Sequence, residues 1–328
     1  MSQLSLTLAC ADYDRIQALA DGSVQPNGID LNVLKLPPDE IFRRMLQNRE
    51  FDVSELSASN YLMAKDQGTH GFTALPVFLS RTFRHPSIYI RTDSGISGPE
   101  HLRGKRIGVP EYHVTALVWV RGMLQHQYGI HPFEIEWFWG GVDAPGSRQG
   151  RIAMALPPGI RLTAIGEDQS LNGMLKEGEI DAIISPRAPA SFLKGESHMT
   201  RLFPDYKAAE TDYYRQTGIF PIMHFVVIRD EILERHPWTA LNLFQAFLQA
   251  KEKAYRNLEQ IGSLRVMLPW LADELEQTKR LMGPDYWSYG IARNKAVLET
   301  LIRYSFEQGL IRREIPLAEL FAHSTLAT

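Results

Sequence analysis

Along the first hundred residues, short apolar strands alternate with amphipathic helices, and this alternation limits the chain to few architectures. Residues 4–9 read as a strand and 13–19 as a helix entered at Asp12. A second strand over 29–36 is followed by a helix over 38–47, with Asp39 and Glu40 in its first turn. Residues 51–56 read as a third strand leading into a helix that begins at Ser57. Strand, helix and strand in series predict an α/β fold with a largely parallel sheet. Further strands are predicted over 72–78, 87–91, 106–109, 134–139, 180–184 and 221–228, and a Gly- and Pro-rich stretch reaches Gly159. Beyond Arg229 the apolar periodicity is helical, notably over 237–258 and 294–308.

At 328 residues the chain is too long for one ordinary core. The order of elements suggests two lobes. Residues 1–90 and 222–328 make the first, and 91–221 make a second inserted between them. A formal net charge of −3 gives no reason to invoke nucleic acid or an anionic membrane as partner. No run approaches the roughly 20 apolar residues that span a bilayer. Cys10 is the one cysteine, which excludes an intramolecular disulfide and a Cys-cluster metal site. Leu8-Ala9-Cys10 resembles a lipoprotein cleavage site in outline, yet the preceding residues hold no basic side chain and alternate Leu with polar residues as a strand does. A cytoplasmic protein is expected, with homo-oligomerisation left open.

The stretch most suggestive of chemistry runs from Leu102 to Ala116. A strand over 106–109 meets Pro110, passes through Glu111-Tyr112-His113, and enters a helix near Thr115. Such a strand-to-helix turn aims unsatisfied backbone N–H groups at whatever lies above the strand end, which suits an anion. A passive anion receptor needs the amides but has less use for a carboxylate and an imidazole together.

Phe83-Arg84-His85-Pro86-Ser87-Ile88-Tyr89, the 102–112 segment, Thr115-Ala116 with Trp119 and Arg121-Gly122, the aromatic strand from Trp137 to Gly141, and 174–182 carry a family resemblance. The chain resembles the 4,5-dihydroxyphthalate decarboxylases, and its element order resembles type II periplasmic-binding-protein folds. The resemblance implies a two-lobed α/β fold with a ligand cleft between lobes. It also implies non-oxidative loss of carbon dioxide from 4,5-dihydroxyphthalate to give protocatechuate, in bacterial phthalate breakdown.

Direct loss of carbon dioxide from this ring would leave an aryl anion outside the π-system. Protonating the carboxyl-bearing carbon first avoids that, because the para hydroxyl, once deprotonated, pushes electrons into the ring. The site then needs an acid at that carbon, a base or acceptor at the hydroxyls, and cations for the carboxylates. His113 is the first choice for proton transfer, since imidazole titrates near neutrality. Glu111 is either the acid or an orienting group for His113. Tyr112 is a candidate for hydrogen bonding or stacking on the substrate, and Thr115 for a helix cap that helps hold a carboxylate. Arg81 and Arg84, read as lying in the loop before the crossover, and Arg187, after the 180–184 strand, offer guanidinium forks for carboxylates. Glu55 and Ser59 lie near the end of the third strand, where ligands bind in open α/β sheets. His85 and His224 are the remaining imidazole candidates, the latter with a core histidine as its plainer explanation.

No Walker motif, dinucleotide-binding glycine fingerprint, Schiff-base lysine context or metal-ligand spacing stands out, so no cofactor or metal is expected. A solute-binding protein for a small carboxylate is the alternative function. A thiamine-pyrimidine synthase-like role ranks behind both.

Overall fold

The computed structural model describes residues 3–69, 71–146 and 156–328; part of the Gly- and Pro-rich stretch therefore lies outside the described residues. Eleven strands are present among them: β1 (Leu4–Cys10), β2 (Ile29–Lys35), β3 (Val53–Ser57), β4 (Phe72–Arg81), β5 (Ile88–Arg91), β6 (Arg106–Val109), β7 (Glu136–Trp139), β8 (Arg161–Ala164), β9 (Ala182–Ile184), β10 (Met199–Arg201) and β11 (Ile222–Arg229). They form a five-stranded sheet of order β2-β1-β3-β11-β4 and a six-stranded sheet of order β10-β5-β9-β6-β7-β8.

Both sheets are mixed rather than largely parallel. In the first, β1 runs parallel to β2 and β3, while β11 lies antiparallel between β3 and β4. In the second, β6 is parallel to β7 and β9, and β5 is antiparallel to β9 and β10. The return strand β11 is fully interior. Its run of apolar residues, which includes Phe225, Val226, Val227 and Ile228, is buried as a central strand requires.

The chain divides into two compact units. The first holds 1–81, 222–299 and 315–328, and the second holds 82–221 and 300–314. Relative to the sequence reading, the second unit gains 82–90 and 300–314. Residues 88–91 join it because β5 pairs with β9 and β10. Residues 300–314 join it because Gln308 and Tyr304 are tied to the helix Thr115–Tyr128: Gln308 Nε2 donates to the Val118 carbonyl at 2.9 Å, and the Tyr304 ring packs on Trp119 at 5.7 Å.

In the first unit the core gathers Tyr61, Phe78, Phe225 and Phe321 through edge-on and tilted ring contacts of 5.6–6.5 Å. In the second, Tyr89, Leu171, Leu175, Ile180 and Ile183 form a buried cluster between the sheet and the helix Leu171–Glu177. Two sequence choices fix the helix that follows β6. Gly129 ends it at φ 65, a left-handed cap that suits a residue without a Cβ. At Gly122 an added Cβ would lie 2.0 Å from the Tyr304 ring. That ring is itself stacked on His126 at 4.9 Å. Gly122→Ala is therefore expected to destabilise the protein by about 1–3 kcal/mol through overpacking, read as a lower guanidinium midpoint at unchanged slope.

Among the described residues, no helix is long and apolar enough to cross a membrane.

Candidate functional site

In the first unit the candidate residues centre on Glu55, which is fully buried on β3. Its carboxylate accepts the Ala11 backbone N–H at 2.9 Å, the Tyr13 hydroxyl at 2.6 Å and His224 Nδ1–H at 2.6 Å. The topology explains the meeting, because β3 lies between β1 and β11 and His224 is in register with Ser57. Burial pushes the carboxyl up. The His224 charge and the bonds from His224, Tyr13 and Ala11 outweigh that and hold it below its ordinary range. With Nδ1 committed to Glu55, Nε2 is the nitrogen of His224 left to serve a ligand. The ring stands edge-on to Phe42 at 4.8 Å.

Arg81 is not in the loop after β4 but is the last residue of that strand. It is buried, and its Nη1 donates to Asn294 Oδ1 at 2.8 Å and to the Ser288 carbonyl at 3.1 Å. This guanidinium thus anchors the 288–294 segment within the first unit. Ser59 is buried inside the helix Ala58–Gln67, with its Oγ 3.3 Å from Ser57 Oγ. One residue on, Asn60 Oδ1 is buried with no hydrogen-bond partner among the described residues.

In the second unit the turn after β6 has the predicted form. His113 is buried, Glu111 half-buried, and His113 Nε2 lies 3.3 Å from Glu111 Oε2. Thr115 is not the helix cap: Val114 occupies that position, without a side-chain cap bond, and Thr115 is the first helical residue, buried. Tyr112 faces the interior. Its ring stands edge-on to Trp137 at 6.0 Å, and its hydroxyl is buried with no hydrogen-bond partner among the described residues.

Beneath Tyr112 sits a residue the sequence reading used only for resemblance. Arg121 is 1% exposed, and its guanidinium carbon lies 3.8 Å from the centre of the Tyr112 ring. It donates to the Tyr112 carbonyl at 2.7 Å and to Gln308 Oε1 at 2.8 Å. Burial draws it below its ordinary value. Its position six residues into an apolar helix was the available signal: an Arg on a face that must be buried needs acceptors, and a neighbouring turn supplies one.

Arg84 and His85 follow in the same unit. Burial lowers Arg84 to about 10 and His85 to about 4. Arg187 is exposed beyond β9, with its backbone N–H on Ser185 Oγ at 3.2 Å. Among the described residues, no three His, Cys, Asp or Glu side chains gather as a metal-holding group.

No protein-family model matches the chain. A 4,5-dihydroxyphthalate decarboxylase of Comamonas testosteroni is 41% identical over 326 residues, covering 99% of this chain and 98% of that protein. The chain belongs to the 4,5-dihydroxyphthalate decarboxylase family. A second protein of that name, from Pseudomonas putida, is 43% identical over 215 residues, or 66% of this chain and 83% of the relative. Among solved structures, the periplasmic aliphatic sulphonate binding protein SsuA of Escherichia coli is similar over 100% of both chains, with a TM-score of 0.54 at 12% identity. That likeness shows the fold, of the periplasmic-binding-protein type, and shows nothing about ligand.

Proposed function

We propose that this chain is a carboxy-lyase that removes one carboxyl group from 4,5-dihydroxyphthalate, giving protocatechuate and carbon dioxide. The observation that carries this reading is 41% identity to a decarboxylase of that name along nearly the whole of both chains. The solute-binding alternative is not favoured, because the receptor likeness is one of fold at 12% identity.

The chemistry asks for two proton movements. One proton goes onto the carboxyl-bearing ring carbon, and one leaves the para hydroxyl and returns as aromaticity is restored. His113, with Glu111 3.3 Å away, is assigned to proton exchange with the substrate. The carboxylate beside the imidazole stabilises the imidazolium formed when a proton arrives. Arg84 and Arg187 are the second unit's candidate carboxylate ligands. A positioned acid or base contributes about 10²–10⁴ in rate.

Purified protein incubated with 4,5-dihydroxyphthalate and no added cofactor is expected to release carbon dioxide and accumulate protocatechuate, followed by chromatography. A protein that binds the compound but returns it unchanged, with or without divalent metal, is not this enzyme.

A further inference from the structure

One cluster in the second unit is absorbed by none of these roles. Glu210 lies on the helix Tyr206–Thr217, facing the short 3₁₀ segment His85–Ser87. The His85 backbone N–H bonds its carboxyl. Glu210 Oε1 is sealed from water, has no hydrogen-bond partner among the described residues, and sits 3.8 Å from His85 Nδ1. Both ring nitrogens of His85 are also buried without a hydrogen bond, and the ring is 1% exposed, edge-on to Phe203 at 5.2 Å and to Tyr213 at 5.4 Å. Three buried polar atoms left unmet in one place call for an explanation in chemistry. The Glu210 side chain nevertheless keeps 15% of its surface open.

We propose that Glu210 is the general acid that protonates the carboxyl-bearing ring carbon. The inference rests on the decarboxylase reading and adds to it the source of the ring proton.

A carboxyl largely withdrawn from water, with one oxygen that meets no donor, holds its proton near neutrality, which is how a carboxylic acid serves as a proton donor at pH 7. Here burial raises Glu210 to about 7 against the opposing bond from the His85 amide and the charges of Arg84 and Arg201. The groups around it are those two guanidiniums, the neutral His85 imidazole, and Tyr213 one turn along its own helix; burial moves the Tyr213 hydroxyl further up, so it stays protonated. The proton on Glu210 forms the new ring C–H bond and leaves a carboxylate. The C–C bond to the leaving carboxylate then breaks, its electron pair returns to the ring and carbon dioxide departs. One solvent proton, taken up at the open part of the Glu210 side chain, restores the acid, so that each dianion and one proton yield one protocatechuate monoanion and one carbon dioxide.

The test is the pH dependence of kcat in wild type, Glu210→Gln and Glu210→Asp, with carboxyl-¹³C NMR of wild type labelled at Glu. Expected are a wild-type kcat that falls above about pH 7, a Glu titrating near that value, a loss of at least about 10²-fold in Glu210→Gln with KM within a few-fold, and partial recovery in Glu210→Asp. A Glu210→Gln enzyme within a few-fold of wild type and with the same alkaline limb overturns this role while leaving the decarboxylase reading intact. Should that variant not fold, absence of any Glu titrating between pH 6 and 8 in wild type overturns it equally. Wild type without turnover overturns the decarboxylase reading and this role with it.

Discussion

Replacing Glu55 by Ala is expected to cost about 3–5 kcal/mol of stability at neutral pH, the range for breaking a buried ion pair by removing one member. The carboxylate is 0% exposed and accepts from the Ala11 amide, the Tyr13 hydroxyl and His224. Deleting it strands three donors, all of them on other strands or their loops, where water has little access to replace it. Glu55→Gln keeps the volume and one acceptor oxygen, so its loss is expected to be smaller. The pH dependence separates charge from packing. Because folding lowers the Glu55 carboxyl below its ordinary range, the stabilisation it provides is complete above the unfolded value of about 4.3. That contribution is lost as pH falls through the folded value. Wild type should therefore lose stability on acidification more steeply than Glu55→Gln. Urea unfolding at pH 7 and at successive steps below pH 5 measures both effects. A Glu55→Ala midpoint at pH 7 equivalent to less than about 0.5 kcal/mol of change would place Glu55 among ordinary surface positions, against its burial.

How far this site was legible in the sequence depended on whether the partner of each side chain was local. Glu111 and His113 are two residues apart on one turn, and the strand, proline and helix that frame them are all written in contiguous sequence. Glu55 sits in the middle of β3 rather than at its end, and its bonds to Tyr13 and His224 span 42 and 169 residues, so only the order of strands reveals them. Thr115 was displaced by one residue, within the ordinary scatter of helix ends, and that scatter decided whether its hydroxyl caps the helix. Arg81 was misplaced because β4 continues through Leu79-Ser80-Arg81, where the apolar run weakens but pairing to Ile222 on β11 persists. β8 and β10 have four and three residues, too few to show a period. Glu210 had no sequence signal at all. It lies in a polar helix among exposed residues, and the imidazole that closes over it, His85, comes from more than a hundred positions away.

His113→Ala is expected to reduce kcat for decarboxylation by about 10²–10⁴-fold while changing KM little, the pattern of an interaction made in the transition state alone. The imidazole is buried on the turn after β6, beside Glu111 and above the Tyr112 carbonyl held by Arg121. Arg121 is therefore a control within the same local structure. Arg121→Met removes the bond that fixes the turn but leaves both proton-handling side chains, so its effect should be spread over kcat and KM, whereas that of His113→Ala should fall on kcat. Glu111→Gln removes the negative charge that favours an imidazolium without removing the ring, and should cost less than His113→Ala. If His113 serves the para hydroxyl while Glu210 serves the ring carbon, the two act within one proton-coupled sequence. The double variant should then lose less than the product of the single losses, as groups acting as a unit do. Steady-state kinetics of the four proteins on one substrate preparation decide this. A His113→Ala enzyme with wild-type kcat takes the imidazole out of the chemistry.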